Sequence, residues 1–230
     1  MSDLGLFVTG TDTGCGKTRV SLALMRLYRS RGLQVVGMKP VAAGASPTAD
    51  GLRNGDALRL QEGADLPMPY RWINPYVFEP AIAPHLAAAE AGMTIAALPI
   101  RSAFEQLASR ADRIIVEGAG GWRVPLGPTL EMADLPGLLD LPVVLVVGLR
   151  LGCINHALLT ADSILARGVP LGGWVANLIE PGMARIEGNI ATLTERIPAP
   201  CLGRLPHDPD GLDLAAQDRG LAGALDLLNR

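Results

Sequence analysis

Residues 5–18, GLFVTGTDTGCGKT, leave a chain few ways to fold. A short apolar run, Leu6, Phe7 and Val8, turns through Gly10, Gly14 and Gly16 and ends on Lys17-Thr18. The residues that follow, 19–31, have helical periodicity: Val20, Leu24, Leu27 and Tyr28 form one stripe, and Arg19, Arg26 and Arg29 fall largely outside it. Strand, glycine-rich turn and helix in that order predict a phosphate-binding P-loop. Glycines let backbone N–H groups curl around an anion, and the helix start adds partial positive charge. Lys17 is placed to reach a terminal phosphate, and the Thr18 hydroxyl to hold Mg²⁺. Five residues rather than four separate Gly10 from Gly16, so the loop is one residue longer than the common form. The plain alternative is a glycine-rich turn with an incidental lysine, and the ordered combination argues against it.

Beyond the loop, apolar and polar runs alternate in the rhythm of an α/β fold. Residues 33–38 read as a second strand ending at Lys39-Pro40, 113–116 as a third ending at Glu117, and 142–147 as a fourth, apolar enough to be buried on both faces. Residues 171–176 make a fifth strand ending at Asn177, and 200–205 a sixth. Helices are expected at 54–62 with Asp56 in the first turn, from Pro84 to Gly92, and at 94–109 with a break at Pro99. Others are expected from an Asn155 cap to Gly168, along Met183, Ile186, Ile190 and Leu193, and at 214–228. Residues 41–52 read as loop, and 67–84, with five prolines, as one long irregular loop of the kind that carries function. The prediction is a single P-loop α/β domain over residues 1–230. Its mainly parallel sheet has helices on both faces, in the manner of P-loop nucleotide hydrolases.

Composition narrows the partners. Of the 230 residues, 49% are apolar, enough for a large core, and the net charge is −3 with no basic block, so nucleic acid is not an expected partner. Cys15, Cys153 and Cys201 stand far apart without a CxxC pair, which argues against a disulfide framework or zinc site and fits a reducing cytoplasm. No signal-peptide pattern opens the chain, and the longest apolar run, 141–147, is too short to span a bilayer, so no membrane role is expected.

In an open parallel sheet, ligands bind where the strands end. The P-loop, Lys39, Glu117 and Asn177 all stand at such ends. Each has a plain reading alone: Lys39 as a solvated strand end, Asp56 as a complement to a helix dipole. Together they line one rim. Lys17 and Lys39 concentrate positive charge on a triphosphate and on whatever anion accepts phosphate, while Thr18, Asp56 and Glu117 offer oxygens to Mg²⁺. His85, His156 and His207 are scattered and suit surface or packing roles better than general base. Trp72, Trp122 and Trp174 read as packing residues.

These residues carry a resemblance. Phe7-Val8-Thr9-Gly10-Thr11-Asp12-Thr13 with Gly16-Lys17-Thr18, Met38-Lys39-Pro40-Val41, and Leu52-Arg53-Asn54 with Asp56-Ala57 begin it. Asn74-Pro75-Tyr76, Pro84-His85, and Val116 through Trp122 continue it, with Gly152-Cys153-Ile154-Asn155-His156 and Gly173-Trp174-Val175-Ala176-Asn177. In that order, over almost the whole length, the chain resembles the dethiobiotin synthetases. The resemblance implies a cytoplasmic, homodimeric cyclo-ligase of biotin biosynthesis that uses ATP and Mg²⁺. Its small-molecule substrates would be 7,8-diaminononanoate and CO₂. One amine forms a carbamate, which attacks the γ-phosphate, and the second amine closes the ring and expels phosphate.

By position, the resemblance implies that Lys17, Lys39 and Thr13 are catalytic. Gly14, Cys15, Gly16, Lys17, Thr18 and Arg19 would hold the nucleotide with Asp56, Glu117, Gly118, Ala119 and Gly120. Asn177, Leu205, Pro206 and His207 would lie against its base. Mg²⁺ would fall to Thr18, Asp56 and Glu117. The diamine would meet Thr13, Lys39, Ala43 and Gly120, and its carboxylate the turn of the neighbouring subunit at Gly152, Cys153 and Asn155, a helix start suited to an anion. Two positions depart from the family's habit: Gly14 stands where a glutamate often sits, and Ala43 where a serine follows Lys-Pro-Val.

Three rivals are weighed against this. A P-loop switch ATPase of the partitioning or cluster-loading type commonly carries a further lysine early in its loop, which TGTDTGCGKT lacks. An amidoligase acting on a tetrapyrrole-like acid needs a glutaminase partner or domain. A non-catalytic nucleotide module has no use for the acidic rim.

Overall fold

The structure is a computed structural model that describes residues 4–208, 210–211 and 213–228. The ends of the expected 1–230 span, residues 1–3 and 229–230, lie outside the described residues. The chain runs β1 (Gly5–Gly10), α1 (Lys17–Ser30), β2 (Val35–Met38), β3 (Val41–Ala43), β4 (Ala45–Thr48), β5 (Gly51–Asn54), α2 (Gly55–Glu62), α3 (Tyr70–Ile73) and β6 (Tyr76–Phe78). It continues with α4 (Pro84–Glu90), α5 (Ala97–Ala108), β7 (Arg113–Glu117), a 3₁₀ turn (Met132–Asp134), α6 (Leu135–Leu139), β8 (Val143–Leu149) and α7 (Cys153–Ala166). The last elements are β9 (Leu171–Leu178), α8 (Ile186–Arg196), β10 (Cys201–Leu205), α9 (Leu214–Gly220) and α10 (Ala224–Leu228).

Six strands form one parallel sheet in the order β10-β9-β8-β1-β7-β2. The period of two along β1 sends Leu6 and Val8 to one face and Phe7 to the other, and each face has its own apolar cluster. On one side lie Val20, Leu24 and Met25 of α1 with Leu221, Leu225 and Leu228 near the C-terminus. On the other lie Ile100, Phe104 and Leu107 of α5, Ala157, Ala161 and Ile164 of α7, and Leu193 of α8. Helices therefore cover both faces, as the pattern predicts, and β8 is buried along its whole length. From β1 the chain moves out to β2 on one side, then returns through β7 to β8 on the other. That reversal leaves a crevice at the carboxyl end of β1, where the P-loop sits.

Several local expectations are corrected. Residues 41–52 are not loop. β3 pairs in parallel with β6, and β4 with β5 makes an antiparallel hairpin. Ala49-Asp50 supplies its turn, with Gly51 at φ 99° opening β5, and a two-stranded ribbon exposes an edge that tolerates Pro47. The proline-rich excursion at 67–84 contains α3 and β6. Pro99 does not break α5 because it falls in the first turn, where a missing N–H costs nothing. Asn155 is not a cap: Gly152 is, at φ 94°, and Asn155 lies inside the first turn of α7. Met183 precedes α8. The C-terminal helix is two helices parted at residues 221–223, where Leu221 is fully buried.

Candidate functional site

Gly16 is the tightest point of the P-loop. Its φ is 94°, and a Cβ there would lie 2.0 Å from Asn177 Nδ2. A side chain would strain the backbone and strike the end of β9, so glycine is required for the loop to close on the rim. Lys17 opens α1 and is 7% exposed. Its Nζ donates to the main-chain oxygens of Asp12, at 3.0 Å, and Gly120, at 2.5 Å. Both acceptors are neutral, and among the described residues Lys17 has no ionic partner, so its charge stays available to an incoming anion.

Lys39 is held differently. It follows β2 directly, is 4% exposed, and its peptide is fixed on both sides. Lys39 N donates to Ile73 O at 2.7 Å, and the buried Asn74 amide donates to Lys39 O at 2.7 Å. Its Nζ reaches Glu117 Oε1 at 2.5 Å, Asp56 Oδ2 at 3.2 Å and Gly118 O at 3.2 Å. Burial alone would weaken this ammonium, but Glu117 and then Asp56 outweigh it and hold its pKa above the ordinary lysine value. For Asp56, burial opposes ionisation, and Lys39, with Thr18 and Arg59 assisting, more than reverses it, so the carboxyl titrates below its ordinary value. Asn54 fixes the helix carrying Asp56: its Oδ1 accepts from Asp56 N at 3.1 Å and Ala57 N at 3.2 Å.

Glu117 ends β7 and is completely buried. One oxygen, Oε1, also accepts from Thr18 Oγ1 at 2.9 Å. The other, Oε2, has no hydrogen-bond partner among the described residues. A buried carboxylate oxygen without a partner is costly and calls for a positive group. Thr18, Glu117 and Asp56 form an all-oxygen set beside the P-loop, which is the chemistry Mg²⁺ takes. No group of three or more His, Cys, Asp or Glu suited to a metal occurs among the described residues. Mg²⁺ needs none, since one or two carboxylates suffice when phosphate oxygens complete the shell. The residues present therefore fit the ion.

At the other end of the cleft, Asn177, next to last in β9, is 2% exposed and donates to Cys15 O at 2.8 Å. Arg19 crosses from α1 to meet Asn177 Oδ1 at 3.1 Å, Pro206 O at 2.6 Å and Asp208 at 3.4 Å. Both ends open into one cleft of about 520 Å³. Of the residues named from the sequence, Thr13, Gly14, Gly16, Lys17, Thr18, Arg19, Lys39, Ala43, Asp56, Glu117, Ala119, Gly120, Asn177 and His207 line it. Cys15 and Gly118 lie just behind that lining and act through main-chain oxygens. Leu205 and Pro206 border a neighbouring groove, with the Pro206 carbonyl turned to Arg19. Gly152, Cys153 and Asn155 do not line the cleft; they stand at the start of α7, beyond the end of β8.

Sequence reasoning passed over Asn54, Arg59, Leu178, Ile179, Asp208 and Asp210, which also line the cleft. Asn54 carried a usable signal as a cap residue before a helix, and Arg59 stands one turn after Asp56. The acidic residues after Pro206 belong to a stretch without periodicity and offered none. Asp12 was also passed over as an organiser: its carboxylate accepts from Thr13 N at 2.8 Å and pairs with Arg150.

Comparison with known proteins agrees with this geometry. A family model described as an AAA domain matches residues 4–212. The "ATP-dependent dethiobiotin synthetase BioD" of Pseudomonas paraeruginosa is 58% identical over 205 residues, covering 89% of this chain and 90% of that protein. The protein of the same name from Xanthomonas euvesicatoria pv. vesicatoria is 53% identical over 221 residues, covering 96% and 98%. Among solved structures, a ParA family ATPase from Chlorobium tepidum superposes with a TM-score of 0.56 at 14% identity, covering 100% of this chain and 94% of that one. At that identity the likeness shows a shared fold and no more.

Proposed function

The chain belongs to the ATP-dependent dethiobiotin synthetase family, and from that premise we propose how its cleft performs the family's cyclo-ligase reaction. Dethiobiotin forms from 7,8-diaminononanoate, CO₂ and ATP. One amine and CO₂ give a carbamate. A carbamate oxygen bonds to the γ-phosphorus as the bond to ADP breaks, and the second amine then attacks the carbamoyl carbon and releases phosphate.

The difficulty is electrostatic. Two unit negative charges about 4 Å apart repel by roughly 4 kcal/mol at an effective dielectric near 20. Lys17, without an ionic partner among the described residues, meets the phosphates; Lys39 lies where the phosphate and the carbamate converge, with Thr13 beside them. Mg²⁺, held by Thr18, Asp56 and Glu117, would neutralise phosphate charge. The single observation that carries the reading is the buried Lys39–Glu117 pair, 2.5 Å apart, with one carboxylate oxygen uncommitted. A buried ion pair contributes little stability over an apolar pair of the same size, so its presence argues for chemistry.

The base lies against Asn177 and the stretch Leu205, Pro206 and His207. The carboxylate of the diamine goes to Gly152, Cys153 and Asn155 of a second copy, which accounts for those residues lying away from the cleft. In this reading the protein is a homodimer acting in the cytoplasm, with small molecules rather than nucleic acid or membrane as partners. Residues 1–230 form one domain. No helix among the described residues is long and apolar enough to cross a membrane. The switch-ATPase alternative shares only the fold.

Purified protein with Mg-ATP should release ADP only when both diaminononanoate and CO₂ are supplied. Equal ADP release with the diamine left out rejects the assignment.

A further inference from the structure

Behind the phosphate end, Asn74, Tyr70 and Asn54 join the two arms that carry Lys39 and Asp56. Asn74 is 2% exposed, and its amide nitrogen donates to Lys39 O at 2.7 Å and to Tyr76 O at 2.8 Å. Carbonyls only accept, so the amide oxygen is left facing Tyr70. The Tyr70 hydroxyl donates to it, at 3.0 Å, and accepts in turn from Asn54 N at 2.8 Å. Asn54 caps α2 and so aims the helix that carries Asp56. Lys39 Nζ then reaches Asp56 Oδ2 at 3.2 Å and closes a ring: Lys39 ammonium, Asp56, Asn54, Tyr70, Asn74 and the Lys39 carbonyl. Every bond in it donates in the same direction. The Tyr70 ring is held by the Arg53 guanidinium, 4.2 Å from its centre. Burial outweighs the Asn54 N–H and Arg53 and keeps the phenol above its ordinary pKa, so the proton it donates is retained.

We propose that Tyr70 is a positioning residue for the reaction: its hydroxyl joins the peptide that carries Lys39 to the helix that carries Asp56, and so sets ammonium and carboxylate at the separation the chemistry needs. The role rests on the reading above, in which Lys39 faces phosphate and carbamate and Asp56 holds Mg²⁺. Without the hydroxyl, Asn74 Oδ1 and the Asn54 N–H both lose their partner in a buried place, at a cost that a small shift relieves. Asn74 shifts with the Lys39 peptide it holds, and Asn54 with the first turn of α2. Asn74 keeps Tyr76 O and Asn54 keeps Gly44 O, at 3.3 Å, so each arm stays folded. What is lost is the partner they share.

The test variant is Tyr70→Phe, which keeps the ring and its Arg53 contact and removes only the hydroxyl. The Asp56 arm is read by calorimetry of ATP binding to the full chain, with Mg²⁺ and again with a chelator. Binding with Mg²⁺ should weaken by about tenfold and metal-free binding stay within about twofold, since removing a partner that orients a metal-holding carboxylate typically costs tenfold or more. The Lys39 arm is read as kcat with all substrates saturating, which should fall by about tenfold. In the Lys39→Gln chain the same change should cost less than about twofold more, because both then act through one ammonium. Either readout unchanged overturns the proposal. So does a second tenfold loss in the Lys39→Gln chain. Equal weakening of ATP binding with and without Mg²⁺ marks Tyr70 as packing only and overturns it too. A wild-type chain that makes no dethiobiotin loses the functional reading, and the Mg²⁺ comparison still decides this one. A wild-type chain that makes it, with Tyr70→Phe its equal, does the reverse.

Discussion

The two ends of the cleft are built by different means. At the phosphate end, Lys39 and Glu117 are buried, Lys39 directly after β2 and Glu117 at the end of β7, and hold each other at 2.5 Å. At the base end, Arg19 spans 187 residues of sequence to reach the Pro206 carbonyl, and its ionic partner Asp208 lies in a stretch without regular structure. The first end is set by the sheet. The second is set by a helix side chain meeting a returning segment. A strand end holds a charge to within a rotamer, whereas a loop holds it only as well as its own contacts do. The chemistry needs the first kind of precision, and recognition of the base tolerates the second.

The contrast is broken most sharply at Lys39. Lys39→Gln should lower turnover by about 10²–10³-fold, the usual loss when a group stabilising transition-state charge is removed, while ATP affinity by calorimetry stays within about threefold. A near-normal rate takes Lys39 out of the mechanism. A parallel collapse of ATP affinity says that the two ends are not separable.

Next in size is stability. Lys39→Met strands the buried Glu117 and should lower unfolding free energy in urea by about 3–5 kcal/mol, with Lys39→Met/Glu117→Leu recovering most of it. The pH course has a definite sign. Lys39 titrates above its ordinary value in the fold, so its contribution is whole below about pH 10.4, the unfolded lysine value, and fades as pH rises through the folded value. Asp56 titrates below its ordinary value, so its contribution is whole above about pH 3.9 and fades as pH falls through the folded one. The gap in Tm between wild type and Lys39→Met should therefore hold steady through neutral pH and narrow in alkali. A gap that stays constant up to the alkaline unfolding limit contradicts the pairing.

Asn54→Ala tests a smaller link. Loss of the cap should cost about 1 kcal/mol in the same urea titration and raise the Mg²⁺ concentration needed for half-maximal turnover, because Asp56 loses its anchor. The least effect is expected at the base end: Asp208→Asn removes a 3.4 Å ion pair at the edge of the cleft and should weaken ATP binding by less than about 1 kcal/mol. An effect there as large as that at Lys39 would erase the distinction between the ends.

The same contrast explains what was legible. Lys39, Glu117 and Asn177 stand at strand ends, and strand ends are visible where an apolar run stops, so the sheet and its rim could be read. The two small sheets could not: β3 and β6 are three residues long, too short for a periodicity window, and β4 and β5, ASPT and GLRN, carry no apolar run. Asn155 attracted the cap assignment because it has a side chain to cap with, while the actual cap, Gly152, works through a left-handed backbone that carries no side-chain signature. By periodicity Arg19 could be seen only as a residue off the apolar stripe, and only the resemblance set it beside the nucleotide. Its partners Asn177 and Pro206 are joined to it by the fold alone.

One consequence concerns the proline-rich excursion. It looks like removable surface chain, yet Ile73 and Asn74 supply the partners for both peptide groups flanking Lys39. Natural or engineered shortening between residues 67 and 84 would thus be felt as a misaimed ammonium more than 30 positions upstream. Length variation among relatives should accordingly collect in the turn around 49–50, and spare this span.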